Sequence, residues 1–202
     1  FDFDDNSIDF VIGRPSPTNC QYDAGREYQV APQGLAYDDT RSLLFAADDV
    51  SHRVVVHDVS NLASGQAAVS VLGQPDFNTI TSGTTAAKMK TPYGIAYDSP
   101  GKRLFVADYG NNRVLVFDVT TLDAGKDAIA ALGQSSMDAS TAGAGTSGLS
   151  GPYDVGYSPT TKRLFVADYG NNRVLAYDVA DASTGQAAIN VIGQPDFSST
   201  VT

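Results

Sequence analysis

Apolar residues along this chain come in short runs, not at helical spacing. Between residues 92 and 133 four runs follow one another: PYGIAYD (92–98), LFVAD (104–108), RVLVFDV (113–119) and AIAALG (128–133). Ser99-Pro100-Gly101 closes the first run, Gly110-Asn111-Asn112 supplies residues that tolerate positive φ, and a loop centred on Gly125 precedes the fourth. Short runs rich in β-branched and aromatic residues, bounded by turn signals, predict a four-stranded antiparallel meander. The second and third runs are apolar at nearly every position, so both faces of that sheet are expected to meet protein.

The pattern repeats. KRLFVADYGNNRVL stands at 102–115 and, letter for letter, at 162–175. Gly13, Gly73, Gly133 and Gly193 are sixty residues apart, as are Pro32, Pro92 and Pro152. Such a period marks an array of units, none of which buries its apolar surface alone. A sheet covered on both faces by copies of itself is a blade, and radial repetition of blades gives a β-propeller. A stacked solenoid is the rival, with fewer strands per unit and a shorter period. The fold class is therefore all-β, with an extra outer strand over 1–13, blades over 14–73, 74–133 and 134–193, and a tail over 194–202.

The stretch PYGIAYDSPGKRLFVADYGNNRVLVFD resembles the NHL repeat: a Pro-x-Gly-Ile-Ala start, a Val-Ala-Asp, an Asn-x-Arg-Val and a final Phe-Asp. The third unit departs from it at Asp154 and Gly156, and the first carries DDVSHRVVVHD in place of DYGNNRVLVFD. The resemblance implies that PYGIAYD lines a central channel and AIAALG lies outermost. It also implies that the outer-to-inner connections and the DYGNN turns share the face used for binding. A WD-type repeat does not fit, because the chain has no Trp.

Composition narrows the function classes. A net charge of −10 argues against nucleic acid and against an anionic membrane surface. No apolar run approaches a membrane span. Cys20 is the single cysteine, which precludes an intrachain disulfide. Ser, Thr, Gly and Asn richness with few Lys points to an extracellular or periplasmic protein, and a first residue Phe1 to a processed form or a fragment.

Asp48 with Arg53, Asp108 with Arg113 and Asp168 with Arg173 recur once per unit, which suits blade-to-blade ion pairs and not a unique catalytic site. His57 takes the slot of Phe117 and Tyr177, and His52 that of Asn112 and Asn172; two histidines off the inner strands do not build a zinc site. All acidic residues but Glu27 are Asp. Lactonase-like propellers hold a divalent cation in the channel on a Glu, an Asn and an Asp; Glu27 lies just before the first inner strand, but no second ligand is identified, so a solvated loop Glu is the favoured reading and Glu27 with Asp154 belongs to the enzyme alternative. Asp154 stands where the other units have Gly34 and Gly94. The acidic start FDFDDNSIDF lacks the Gly and Glu of a calcium loop. Tyr93, Tyr109, Tyr153 and Tyr169, with Asn111, Asp154 and Asn171, form the expected binding face.

No nucleophile triad, phosphate loop or metal cluster is legible, so the expected function is a non-enzymatic module that binds protein or glycan and assembles with itself, without a cofactor. A metal-assisted lyase or lactonase-like enzyme is the alternative. Three blades are fewer than the about four to eight of a closed ring. A two-fold dimer completing six blades is the expectation. The outer-strand runs number four, IDFVIG (8–13) included, so strand exchange between subunits is expected too.

Overall fold

The structure is a computed structural model and describes residues 31–201. IDFVIG, Cys20 and Glu27 lie outside the described residues. Three four-stranded antiparallel sheets follow one another. The first contains β1 (Pro32–Asp38), β2 (Leu43–Asp48), β3 (Arg53–Asp58) and β4 (Ser70–Leu72). The second contains β5 (Pro92–Asp98), β6 (Arg103–Asp108), β7 (Arg113–Asp118) and β8 (Ala130–Leu132). The third contains β9 (Pro152–Ser158), β10 (Arg163–Asp168), β11 (Arg173–Asp178) and β12 (Asn190–Ile192). Strands are ordered in each sheet as in the sequence, which makes each a meander and each a blade. The fourth strand is shorter than its apolar run, and its pairing stops where Gly73, Gly133 and Gly193 turn to positive φ.

The blades pack face to face, and this is where the core lies. One face of the first blade (Phe45, Val54, Val56) meets Ile95, Leu104 and Phe117 of the second. The opposite face of the second blade (Phe105, Val114, Val116) meets Val155, Leu164 and Tyr177 of the third. Successive residues of the middle strands thus enter different cores, which explains their lack of polar alternation.

The first strands of neighbouring blades converge. A Cβ at Gly34 would stand 2.5 Å from the Tyr93 carbonyl oxygen, and one at Gly94 would stand 2.6 Å from Asp154 Cα. Only glycine lets the next inner strand come so close. Register shifts between Pro32 and Leu35, and between Pro92 and Ile95, accompany these contacts.

A second set of contacts ties the blades at the opposite ends of the inner strands. The Tyr97 hydroxyl donates to Asp38 Oδ2 (2.6 Å), and Arg41 Nη1 donates to the Val119 carbonyl (2.8 Å). Burial opposes ionisation of Asp38, but bonds from Thr40, Tyr97 and Arg41 outweigh it and hold the carboxyl far below its ordinary value. At the next junction Arg103 binds Asp98 (2.7 Å) and reaches the Val179 carbonyl (2.6 Å).

Candidate binding face

The tight β6–β7 and β10–β11 connections build this face. Each carries one turn of 3-10 helix, Tyr109–Asn111 and Tyr169–Asn171, ended by an Asn in the left-handed region. Asp108 and Arg113 are cross-strand partners at the mouth of the first of these turns. Arg113 Nε lies 2.7 Å from Asp108 Oδ2, and Arg173 Nε lies 2.7 Å from Asp168 Oδ2, all without solvent contact. In the first blade the pair is looser, with Arg53 Nε 3.5 Å from Asp48 Oδ2. Burial pushes the Asp108 carboxyl up, against the pull of Arg113.

The ion pairs run within a blade, not between blades as the sequence suggested. The arginine's remaining donors make the link outward. Arg113 donates to the carbonyls of Thr84 (2.7 Å) and Lys88 (2.8 Å) in the incoming connection, and to that of Met137 in the outgoing one. The reason is geometric: a hairpin places Asp and Arg side by side, and the long guanidinium has donors left over.

Asn111 and Asn171 do not belong to the exposed face. Both are buried, and their amides donate inward. Asn111 binds the Gly83 carbonyl (2.8 Å) and Asp108 Oδ2 (2.9 Å), and Asn171 binds the Gly143 carbonyl (2.9 Å) and Asp168 Oδ2 (2.8 Å). The following Asn112 reaches the next blade instead, where its Oδ1 accepts from Gly151 N–H (2.8 Å). His52 does the same work with its imidazole, accepting from Thr91 N–H at Nδ1 (3.1 Å). His57 is buried in the aromatic slot, and burial draws its imidazole down to about 4.

The tyrosines come together. The Tyr93 ring lies 4.9 Å from Tyr109 and 4.7 Å from Tyr153, and Tyr153 lies 6.0 Å from Tyr169. The row runs across two blades, with Tyr153 48% and Tyr169 67% exposed. Gly151, at positive φ, leaves room for Tyr109, since a Cβ there would stand 2.9 Å from its ring. At the preceding junction the corresponding residues are Asp49 and Thr91. Burial first, and then the Asp49 carboxylate, raise the Tyr93 phenol.

Beside the row, over the converging inner strands, lies a hollow of about 390 Å³. Gln33, Gly34, Tyr93, Gly94, Tyr153 and Asp154 are among its lining residues. Asp154 is exposed and its Oδ1 accepts from Val155 N–H (2.9 Å). Among the described residues no group of three His, Cys, Asp or Glu side chains is placed to hold a metal ion. Asp154 alone does not make the divalent-cation site that lactonase-like propellers imply. Sequence reading did not single out Gln134, whose amide joins the Asn112 and Thr141 carbonyls at 2.7 and 2.9 Å behind the turn. Its recurrence as Gln74 and Gln194 is the signal that could have found it.

Comparison with known proteins agrees with this architecture. A family described as "Lactonase, 7-bladed beta-propeller" matches residues 24–195. NHL repeat-containing protein 2 of Homo sapiens is 31% identical over 91 residues, and that of Gallus gallus is 29% identical over 90. Each match covers 45% of this chain and 12% of the relative. Among solved structures, hydrazine synthase of Kuenenia stuttgartiensis superposes with a TM-score of 0.56 at 17% identity, over 91% of this chain and 40% of that one. A chain of a nidogen/laminin complex gives a TM-score of 0.50 at 15% identity, over 81% of this chain and 50% of that one. Among the described residues no helix is long and apolar enough to cross a membrane.

Proposed function

The chain belongs to the lactonase family of seven-bladed β-propellers and carries NHL-type repeats, and we propose that it acts as a non-enzymatic binding and assembly module. The observation that carries this reading is the tyrosine row. Four phenolic rings touch in sequence, and the two toward the third blade are the most exposed. Tyrosine offers a rigid apolar face with a polar tip, and few rotamers are lost when a partner covers it. The ligand class is a protein surface or a glycan, stacked on Tyr153 and Tyr169 and hydrogen-bonded by Gln33 and Asp154 at the hollow. The site of action is extracellular or periplasmic, and neither nucleic acid nor a membrane interior is a partner.

Tyrosine-fluorescence titration against a panel of defined oligosaccharides tests the glycan arm, and two-hybrid selection of peptides tests the protein arm. Binding lost in a Tyr109→Ala, Tyr169→Ala double variant that keeps its melting temperature supports the reading. Binding that survives in that variant removes it.

The assembly half of the proposal is ring completion by a second chain. Six sheets from two chains fall within the range of closed rings, about four to eight, one fewer than the family description names. A lactonase activity in the hollow is the second reading, favoured by the family match alone. Assay of the purified chain on simple lactones, with and without added Ca²⁺ or Mn²⁺, decides it.

A further inference from the structure

The two blade seams beside the tyrosine row are built alike and differ at two residues. Between the second and third blades, Asn112 Oδ1 accepts from Gly151 N–H at 2.8 Å, and Gly151 sits at φ +54°. Between the first and second, His52 Nδ1 accepts from Thr91 N–H at 3.1 Å, and Thr91 sits at φ +52°. Glycine takes the left-handed region freely, whereas a β-branched threonine there is strained. Such a residue stays in place only while its surroundings hold it. An amide oxygen keeps its lone pairs at every pH, but an imidazole nitrogen loses its own on protonation. The seam that carries the strain is thus the one whose acceptor titrates.

The strain adjoins the tyrosine row. Lys90, just before Thr91, is fixed to its own blade: its N–H donates to Asp108 Oδ1 (2.6 Å), and its carbonyl accepts from Gly110 N–H (2.9 Å). The Thr91 bond crosses instead to the first blade. After Thr91, Pro92 passes on any turn of the chain rigidly, because its φ is locked. Tyr93 and Gly94 fall in the register shift between Pro92 and Ile95, without partner residues in β6. The Tyr93 ring lies against Tyr109 and Tyr153 and lines the hollow with Gln33 and Gly94.

We infer that His52 is a proton-operated latch: neutral, it holds Thr91 and so seats Tyr93 in the row; charged, it releases both and turns to the Asp49 carboxylate. The charged ring has a donor on each nitrogen, so Nδ1–H would oppose the Thr91 N–H. Among the described residues Asp49 Oδ1 is buried without a hydrogen-bond partner, which offers the charged ring an acceptor in its own turn. Two arrangements selected by one proton make a two-state element.

Asp48 and Asp49 face the ring from the first blade, and Lys90 faces it from the connection that enters the second. Burial is the largest influence and, with Lys90, keeps the ring neutral; the Asp49 main chain and the two carboxylates favour its charge. Burial prevails, so His52 titrates below the ordinary histidine value. The latch is therefore closed at neutral pH and opens in acid. Its use in binding rests on the tyrosine-row reading, whereas its working concerns this seam alone.

An NMR titration of the full chain between about pH 7.5 and about 5 tests the latch without a ligand. The Thr91 amide and the Tyr93 ring should shift together with the His52 ring, at one midpoint below 6.5, while the Gly151 amide stays still. Asp108, whose carboxyl is pushed up by burial, is the other titrating group beside the seam, because it accepts from Lys90 N–H. His52→Asn keeps Asp108 and restores the residue of the next seam, so both shifts should vanish in it. Thr91→Gly removes the strain, so there the His52 ring should titrate while the Tyr93 ring stays still. Shifts at Thr91 and Tyr93 that persist in His52→Asn assign the effect to Asp108 and overturn the latch. A Thr91 amide indifferent to His52 protonation, or a Gly151 amide that moves with it, overturns it equally. A tyrosine row that binds no partner would remove the use of the latch and leave all of these shifts unchanged.

Discussion

Arg113 Nε stands 2.7 Å from Asp108 Oδ2, both side chains closed off from solvent, and four further carbonyls at Thr84, Thr85, Lys88 and Met137 receive the rest of the guanidinium. Removing one partner of a buried pair strands the other. Arg113→Leu should therefore lower stability by about 3–5 kcal/mol. Urea unfolding followed by circular dichroism checks this; a midpoint within experimental error of the unaltered chain refutes it.

A pair of glycines separates steric need from mere occurrence. A Cβ at Gly94 would meet Asp154 Oδ1 at 2.0 Å and Asp154 Cα at 2.6 Å, whereas one at Gly156 meets nothing within 4 Å. Gly94→Ala should cost about 1–3 kcal/mol through forced displacement of the third blade's inner strand. Gly156→Ala should be neutral or stabilising by up to about 1 kcal/mol. Thermal melts of the two variants give the comparison.

Acid should loosen the first blade. Unfolded histidine titrates near 6.5, and burial draws His57 in the fold down to about 4. Above pH 6.5 both states are neutral and stability is full. As pH falls from 6.5 toward 4, only the unfolded chain takes up the proton, and up to about 3 kcal/mol is lost. His52 adds to this in the same direction, because burial lowers it and its Nδ1 must stay unprotonated to accept from Thr91. His57→Phe, the residue of the second blade, should flatten the stability profile across that window. An unchanged slope would assign the acid sensitivity to other groups.

Tyr169 is exposed enough that Tyr169→Ala should leave stability within about 0.5 kcal/mol. Tyr93 is in contact with both Tyr109 and Tyr153, so Tyr93→Ala should cost more, about 1–2 kcal/mol. Equal losses at the two positions would show that the row is packing throughout.

The sixty-residue period made the blades and their strand order legible, because every copy had to bury the same faces. The inner strand PYGIAYD is found at Pro92–Asp98 as its run suggested. What escaped was the direction of polar side chains. Asn111 sits in a turn and reads as exposed, yet its amide turns inward to the buried Asp108 carboxylate, which also accepts from Arg113 Nε and the Lys90 N–H. The bond from Tyr97 to Asp38 spans 59 residues. Its arginine also shifts position between copies, from Arg41 in the first blade to Arg103 in the second, so the period itself concealed it. The tyrosine row was visible as residues but not as a contiguous surface, since its contacts cross a blade boundary.

The carbonyls that Arg113 gathers come from the segment before its blade and from the segment after it. Arg173 likewise takes those of Gly145 and Gly148 before, and that of Phe197 after. The length of chain that is copied and the length that folds are thus out of phase. A sixty-residue stretch excised at its glycine boundaries would leave its predecessor's arginine without an outgoing carbonyl. Opening events seen by hydrogen exchange should accordingly span two half-blades and their shared connection, so that amides of 84–89 and 108–113 exchange at one common rate.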